Sequence, residues 1–130
     1  IFAEGTVGRN ANSRIEFLNN IISSDYTLCY RGSANYSLRF YETLCLGKIP
    51  LLIDTDCVLP FQKELDWNSI CIIVSENEID NIPEIVLDHY NSQSNNQFIE
   101  LQHYCREIWE KYLSKKGFYN QLNRKINLSN

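Results

Sequence analysis

The side chains with the most chemical potential fall in one short segment, Tyr30-Arg31-Gly32-Ser33-Ala34-Asn35-Tyr36-Ser37-Leu38-Arg39-Phe40-Tyr41-Glu42. An apolar run ends just before it, and a helical pattern begins inside it. The first turn of a helix offers unpaired N–H groups and partial positive charge, so it attracts anions. Arg39 falls in or beside that turn, where a cation is disfavoured by roughly 0.3–1 kcal/mol unless something offsets it. Arg31 leaves the apolar run just ahead. Two guanidiniums at a helix start suit a diphosphate, because each grips phosphate oxygens with paired N–H bonds. Gly32 permits close backbone approach, and Ser33, Asn35 and Ser37 add short polar groups. Glu42 lies three residues past Arg39 on the same helical face, where a carboxylate can accept ribose hydroxyls. With Phe40, these residues make up the candidate nucleotide-binding set. A plainer reading fits the same pattern: Arg39 and Glu42 form a surface pair worth about 0.2–0.5 kcal/mol, and Arg31 caps a loop. No GxGxxG or GxxxxGK signature decides between the two.

Positioning this segment requires a strand before it and a helix after it. Residues 26–30 are a compact apolar run suited to a buried strand, and a helix is expected from about Ser37 to Leu46. Gly47 fits a left-handed helix stop. Residues 49–53 are the next strand, closed by Asp54-Thr55-Asp56. Strand, helix and strand within about thirty residues make a βαβ unit, with parallel strands and a right-handed crossover. Ligands bind at the carboxyl edge of such sheets, where helix amino termini gather.

Around this unit, residues 1–4 are a possible short strand. Ser13-x-x-Glu16 has capping-box form ahead of Ile15, Leu18 and Ile22 at helical spacing. Residues 70–74 supply another buried strand. Ser75-x-x-Glu78 and Asn81-x-x-Glu84 are further capping boxes, with Pro83 in a first helical turn. Residues 93–97 form a polar connector. One apolar stripe then joins Phe98, Leu101, Cys105, Ile108 and Tyr112, and a second joins Phe118, Leu122 and Ile126. The fold class expected is α/β: a small parallel sheet flanked by helices, with a helical C-terminal tail.

At 130 residues, 44% hydrophobic and 22% charged, the chain is one ordinary globular domain. Its net charge of -4 speaks against a nucleic-acid partner. The five cysteines are scattered without CxxC spacing, which disfavours a zinc ribbon or a redox dithiol. Cys29 and Cys71 sit in apolar runs, and free core thiols point to a reducing, cytoplasmic setting. No stretch is apolar enough to span a bilayer, and no signal peptide is visible. The chain starts at Ile1, inside an expected strand, and is therefore taken as a piece of something longer.

Several other features invite chemistry. Asp54-x-Asp56 resembles a carboxylate pair that holds a divalent metal on a diphosphate, but loop caps or sugar-hydroxyl contacts suit it better. His89 and His103 lack partners at ligand spacing and are assigned to packing or surface. Trp67 and Trp109 are assigned to the core. Lys115-Lys116 is a solvated turn. Asn35-Tyr36-Ser37 matches a glycosylation sequon, yet a glycan there would obstruct the candidate site.

An ordered series carries a family resemblance: Leu28-Cys29-Tyr30-Arg31-Gly32, then Ser37-x-Arg39-Phe40-x-Glu42-x-Leu44, Gly47-x-Ile49-Pro50, Leu59-Pro60-Phe61 and Asp66-Trp67. From about Asp25 through Ile85 the chain resembles the exostosin-like glycosyltransferases. Glu110, Tyr112-Leu113-Ser114 and Gly117-Phe118 are similar to the tails of bacterial members. The resemblance implies a GT-B architecture, in which two Rossmann-like domains face one cleft. Residues 1–130 would then be the carboxyl-terminal domain that holds a nucleotide diphosphate sugar, with no cofactor beyond that donor. Arg31 and Arg39 would contact the diphosphate and Glu42 the ribose. The glycan acceptor and the catalytic base would belong to an N-terminal domain outside this chain. The loop Ser33-Ala34-Asn35-Tyr36 departs from animal members, which leaves the nucleotide open. Two rival readings are a non-catalytic nucleotide-binding or regulatory module, and a receiver-like signalling domain whose required acidic residues are not in place here.

Overall fold

The computed structural model describes residues 11–129. The possible strand at residues 1–4 lies outside them. Among the described residues nine regular elements follow one another: α1 (Ala11–Ile22), β1 (Tyr26–Cys29), α2 (Leu38–Cys45), β2 (Ile49–Asp54), α3 (Trp67–Ile70), β3 (Ile72–Ser75), α4 (Ile82–Asn91), α5 (Asn95–Ile108) and α6 (Lys115–Leu128). A 3₁₀ turn (Glu76–Asn81) leads into α4, and a π turn (Trp109–Leu113) joins α5 to α6.

The three strands are all parallel, in the order β1-β2-β3. Leu28 pairs with Leu51 and Cys29 with Leu52, while Leu52 pairs with Ile73 and Asp54 with Ser75. This is the layered α/β fold expected of a Rossmann-like half domain. β2 is central, and every residue but Asp54 is buried, as a strand covered on both faces must be. β1 differs from the fully buried strand expected over residues 26–30. It alternates, with Thr27 and Cys29 inside and Leu28 and Tyr30 exposed. The strand expected at residues 70–74 begins later, because Ile70 ends the single turn of α3.

Each face of the sheet has its own core. On one face, Cys29 and Leu52 meet Phe40 and Leu44 of α2, Trp67 and Ile70 of α3, and Phe98, Cys105 and Ile108 of α5. On the other, Leu51, Ile53, Ile72 and Val74 pack on Ile82, Ile85 and Val86 of α4. Each fully buried Leu, Ile, Val or Phe among them stabilises the fold by about 1.5–3 kcal/mol through burial alone. The α5 stripe thus lies where its spacing puts it. The second stripe does not: Phe118, Leu122 and Ile126 face outward, and Gly117 is the one buried residue of α6.

Helix ends explain several boundaries. α2 stops at Gly47, with φ of 64°. There the Gly47 N–H donates to the Leu44 carbonyl, and the Lys48 N–H reaches back to Thr43. This is a Schellman closure, which needs the left-handed conformation that glycine supplies most easily. Ser94 and Gln97 form a reciprocal capping box, so the expected polar connector is the start of α5. Ser75 caps a 3₁₀ turn instead of an α-helix, and the Asn81 side chain caps nothing. Pro83 sits in the first turn of α4, as expected. Ser13 cannot cap α1, because the helix already runs at Ala11. The inward face of α1 is also shifted by one position: Ile21 is buried, while Ile15 and Ile22 are exposed.

Two glycines give a stability test. A Cβ on Gly117 would lie 2.2 Å from the Glu110 carbonyl oxygen, whereas at Gly47 the nearest atom is 3.4 Å away and only φ is strained. Gly117→Ala should therefore cost about 2 kcal/mol or more and Gly47→Ala about 1 kcal/mol. Urea unfolding checks the order, and an equal loss would contradict the close approach of α6 to the π turn.

Candidate functional site

The β1–α2–β2 crossover puts the amino end of α2 beside the carboxyl end of β1, where residues 30–37 cross the sheet edge. Ser37 is the N-cap of α2, with extended backbone (φ -121°, ψ 115°). Its side chain makes no capping hydrogen bond and is largely buried, so it is poorly exposed for a ligand. Inside the loop, the Gly32 N–H donates to the Tyr36 carbonyl at 3.1 Å, and the Tyr36 N–H donates to Ala34 at 2.8 Å. Open space surrounds the Gly32 Cα, and Ser33 is exposed.

The two arginines have little to neutralise them. Arg31 is exposed and has no hydrogen bond or ion pair among the described residues. Arg39 is half-buried, and its guanidinium lies over the Phe17 ring, 4.5 Å from the centroid. Its charge also reaches the Cys29 thiol at the end of β1. Burial pushes that thiol up to about 12, against the opposing pull of the Thr43 hydroxyl and of Arg39. Stacking on an aromatic face places a guanidinium without consuming its N–H groups.

Glu42 does not pair with Arg39. Its Oε1 lies 2.7 Å from Arg14 Nη1 on α1, in a contact open to solvent on both sides. Such a pair is worth at most about 1 kcal/mol, which a ligand hydroxyl can rival. The surface pair allowed by the spacing of Arg39 and Glu42 is therefore not formed.

Two candidate residues have protein partners of their own. Phe40 is 1% exposed and packs its ring 5.4 Å from that of Trp67, so it is a core residue with no surface for a ligand. Asn35 is already engaged, since its amide donates to the Thr55 carbonyl at 2.9 Å and accepts from the Thr55 hydroxyl at 2.5 Å. Conversely, Arg14, Phe17 and Thr55 meet the candidate set without having been singled out by spacing. Arg14 and Phe17 stand three apart on α1, a face that the Ile15, Leu18 and Ile22 periodicity conceals.

The remaining features are structural. Asp54 Oδ1 accepts the Asp56 N–H at 2.9 Å, which caps a turn whose Asp56 has a φ of 57°. Asp54 also borders a cleft of about 610 Å³ between the end of β2 and the Trp67 loop. Trp67 is buried and donates to the Pro60 carbonyl at 2.8 Å. His89 Nδ1 lies 2.7 Å from the Tyr26 hydroxyl, and burial lowers its pKa. Among the described residues no helix is long and apolar enough to cross a membrane.

Residues 2–88 match the Exostosin GT47 domain. The chain belongs to the exostosin GT47 family of glycosyltransferases. Similar proteins include the exostosin-1 homolog of Caenorhabditis elegans, 35% identical over 77% of this chain. Exostosin-1 of Drosophila melanogaster is 30% identical over 76%, and a probable glucuronosyltransferase of Oryza sativa subsp. japonica is 37% identical over 62%. The chain spans 25%, 12% and 18% of these relatives, respectively. The GT47 match runs from ahead of α1 into α4, so it encloses Arg14, Arg31, Arg39 and Glu42, while α5 and α6 lie beyond it.

The division between core and site has a direct consequence. Phe40→Ala should destabilise the GT47 domain by about 3–5 kcal/mol, and Arg31→Ala should stay within about 0.5 kcal/mol of wild type. Chemical denaturation of both variants checks this, and a large loss in Arg31→Ala would give that residue a structural role.

Proposed function

We propose that this GT47 domain binds the nucleoside diphosphate of an activated sugar, for transfer of the sugar to a hydroxyl of a glycan acceptor. The observation that carries the proposal is the pair of arginines, Arg31 in the loop ahead of α2 and Arg39 in its first turn, neither of which has a carboxylate partner among the described residues. An unneutralised pair of cations at a helix start favours a polyanion on both counts.

In this reading Arg31 and Arg39 bind the pyrophosphate, and Glu42 accepts ribose hydroxyls. Among the described residues Glu42 Oε2 makes no ion pair, and Arg14 holds Oε1 in a contact weak enough to yield. As the glycosidic bond to the donor breaks, negative charge grows on the departing diphosphate. Positioned guanidiniums stabilise that charge more in the transition state than in the ground state. The acceptor hydroxyl would attack the anomeric carbon from the opposite side and lose its proton to a base outside this chain. The domain would then be the donor-holding, carboxyl-terminal half of a two-domain enzyme. The name of the rice relative makes a uronosyl donor the first class to test.

Isothermal titration calorimetry with UDP, GDP and UDP-glucuronate tests the proposal. Wild type should bind at least one of them, and Arg31→Ala and Arg39→Ala should each weaken that binding by about tenfold or more. A folded wild-type chain that binds none at millimolar concentration would overturn it.

A further inference from the structure

The loop that carries Arg31 belongs to no regular element, yet side chains from the loops after the other two strands hold it. Just before Arg31, the Tyr30 hydroxyl donates to Glu76 Oε1 at 2.9 Å, a link from the end of β1 to the residue that follows β3. Just after it, Asn35 and Thr55 exchange two hydrogen bonds, of 2.9 and 2.5 Å, which tie the loop to the residue that follows β2. Arg31 stands between these anchors and makes no bond of its own among the described residues.

Local structure does not explain the loop's position by itself. Its internal backbone bonds close only residues 32–36, and the Ser37 side chain gives the helix no cap. Both anchors are exposed and add little to global stability, since surface hydrogen bonds compete with water. Their effect is on order. A loop that must be ordered when a ligand arrives loses affinity by that entropy, and a loop held beforehand does not.

We propose that Asn35 and Thr55 are a positioning pair, which fixes the Arg31 loop in the conformation that receives a diphosphate. The inference rests on the donor-site reading above. Asn35 thereby acts on the ligand through Arg31, with its own amide spent on Thr55. The geometry also explains why Asn35 is tied to this strand end. Thr55 adjoins Asp54, whose carboxylate fixes the turn at Asp56, so the acceptor and donor offered to Asn35 come from a rigid corner.

The test is calorimetry of UDP binding to the full chain, with Thr55→Val, Thr55→Ser and Asn35→Ala, and melting temperatures recorded beside it. Thr55→Val keeps the shape and the carbonyl but removes the hydroxyl donor. Its UDP affinity should fall about fivefold, with little change in melting temperature. Thr55→Ser restores the donor and should return affinity to within about twofold of wild type, while Asn35→Ala should lose at least as much as Thr55→Val. Heteronuclear NOE values at residues 31–36 should fall in Thr55→Val and recover in Thr55→Ser. If wild type binds UDP and Thr55→Val binds it equally well, the positioning role is overturned and the donor site stands. Equal losses in Thr55→Val and Thr55→Ser would also overturn it, by assigning the effect to packing. If wild type binds no nucleoside diphosphate, both readings fall together. Should Thr55→Val not fold, Asn35→Ala decides the question by the same comparison.

Discussion

The parallel pairing of β1 with β2, closed by α2 between them, is the constraint on which the site depends. A parallel pair cannot be joined by a tight turn, so the chain must climb back along the sheet before the second strand begins. That return makes α2 start where β1 ends. Phe40 and Leu44 fasten the helix to the sheet, and the Schellman closure at Gly47 returns the chain to β2 in register. Any loop at this edge then lies over unpaired N–H groups at the helix start.

Charge gives that edge its character. Arg39 stands in the first turn of α2, where the helix start already favours anions, and its guanidinium rests on the ring face of Phe17, while Arg31 lies in the exposed loop ahead of that helix. Nearby carboxylates are occupied elsewhere: Glu42 by Arg14, Glu76 by the Tyr30 hydroxyl, and Asp54 by a backbone N–H of its own turn. Glu42, Glu76 and Asp54 are thus engaged, while neither arginine has a carboxylate partner among the described residues. This imbalance separates the arrangement from an ordinary salt-bridged surface, where each cation has its own carboxylate.

Much of this was legible in the residues, for reasons that are local. The βαβ unit follows from apolar runs of strand length about one helix, and the Gly47 stop and Pro83 entry are backbone properties that act within a turn. The position of Arg31 and Arg39 between β1 and the first turn of α2 follows from the same reasoning. What was not legible depends on long-range partners or on fine rotational phase. The apolar positions of α1 fit a stripe through Ile15, Leu18 and Ile22, yet Ile21 is the residue inside, and adjacent faces of a short helix differ little in periodicity. Phe40 lies among polar candidates in sequence, but one position along a helix turns a side chain by about 100°, from the site into the core. The partner of Asn35 does not show in the sequence because Thr55 is twenty residues away, and the Arg39–Glu42 pair that spacing allows is forestalled by Arg14 on another helix. The Phe118, Leu122 and Ile126 stripe has the spacing of a core face, yet α6 touches the rest of the chain mainly through Gly117 and the π turn. Periodicity reports an apolar face, and says nothing of what covers it.

The most direct measurement is a UDP titration followed by ¹H–¹⁵N correlation spectra of the labelled chain. The largest saturable shifts should fall on the backbone N–H groups of residues 31–40 and on the Arg31 and Arg39 side chains. Shifts confined to α5 and α6, or none at saturating nucleotide, would contradict a donor site at the carboxyl edge of β1.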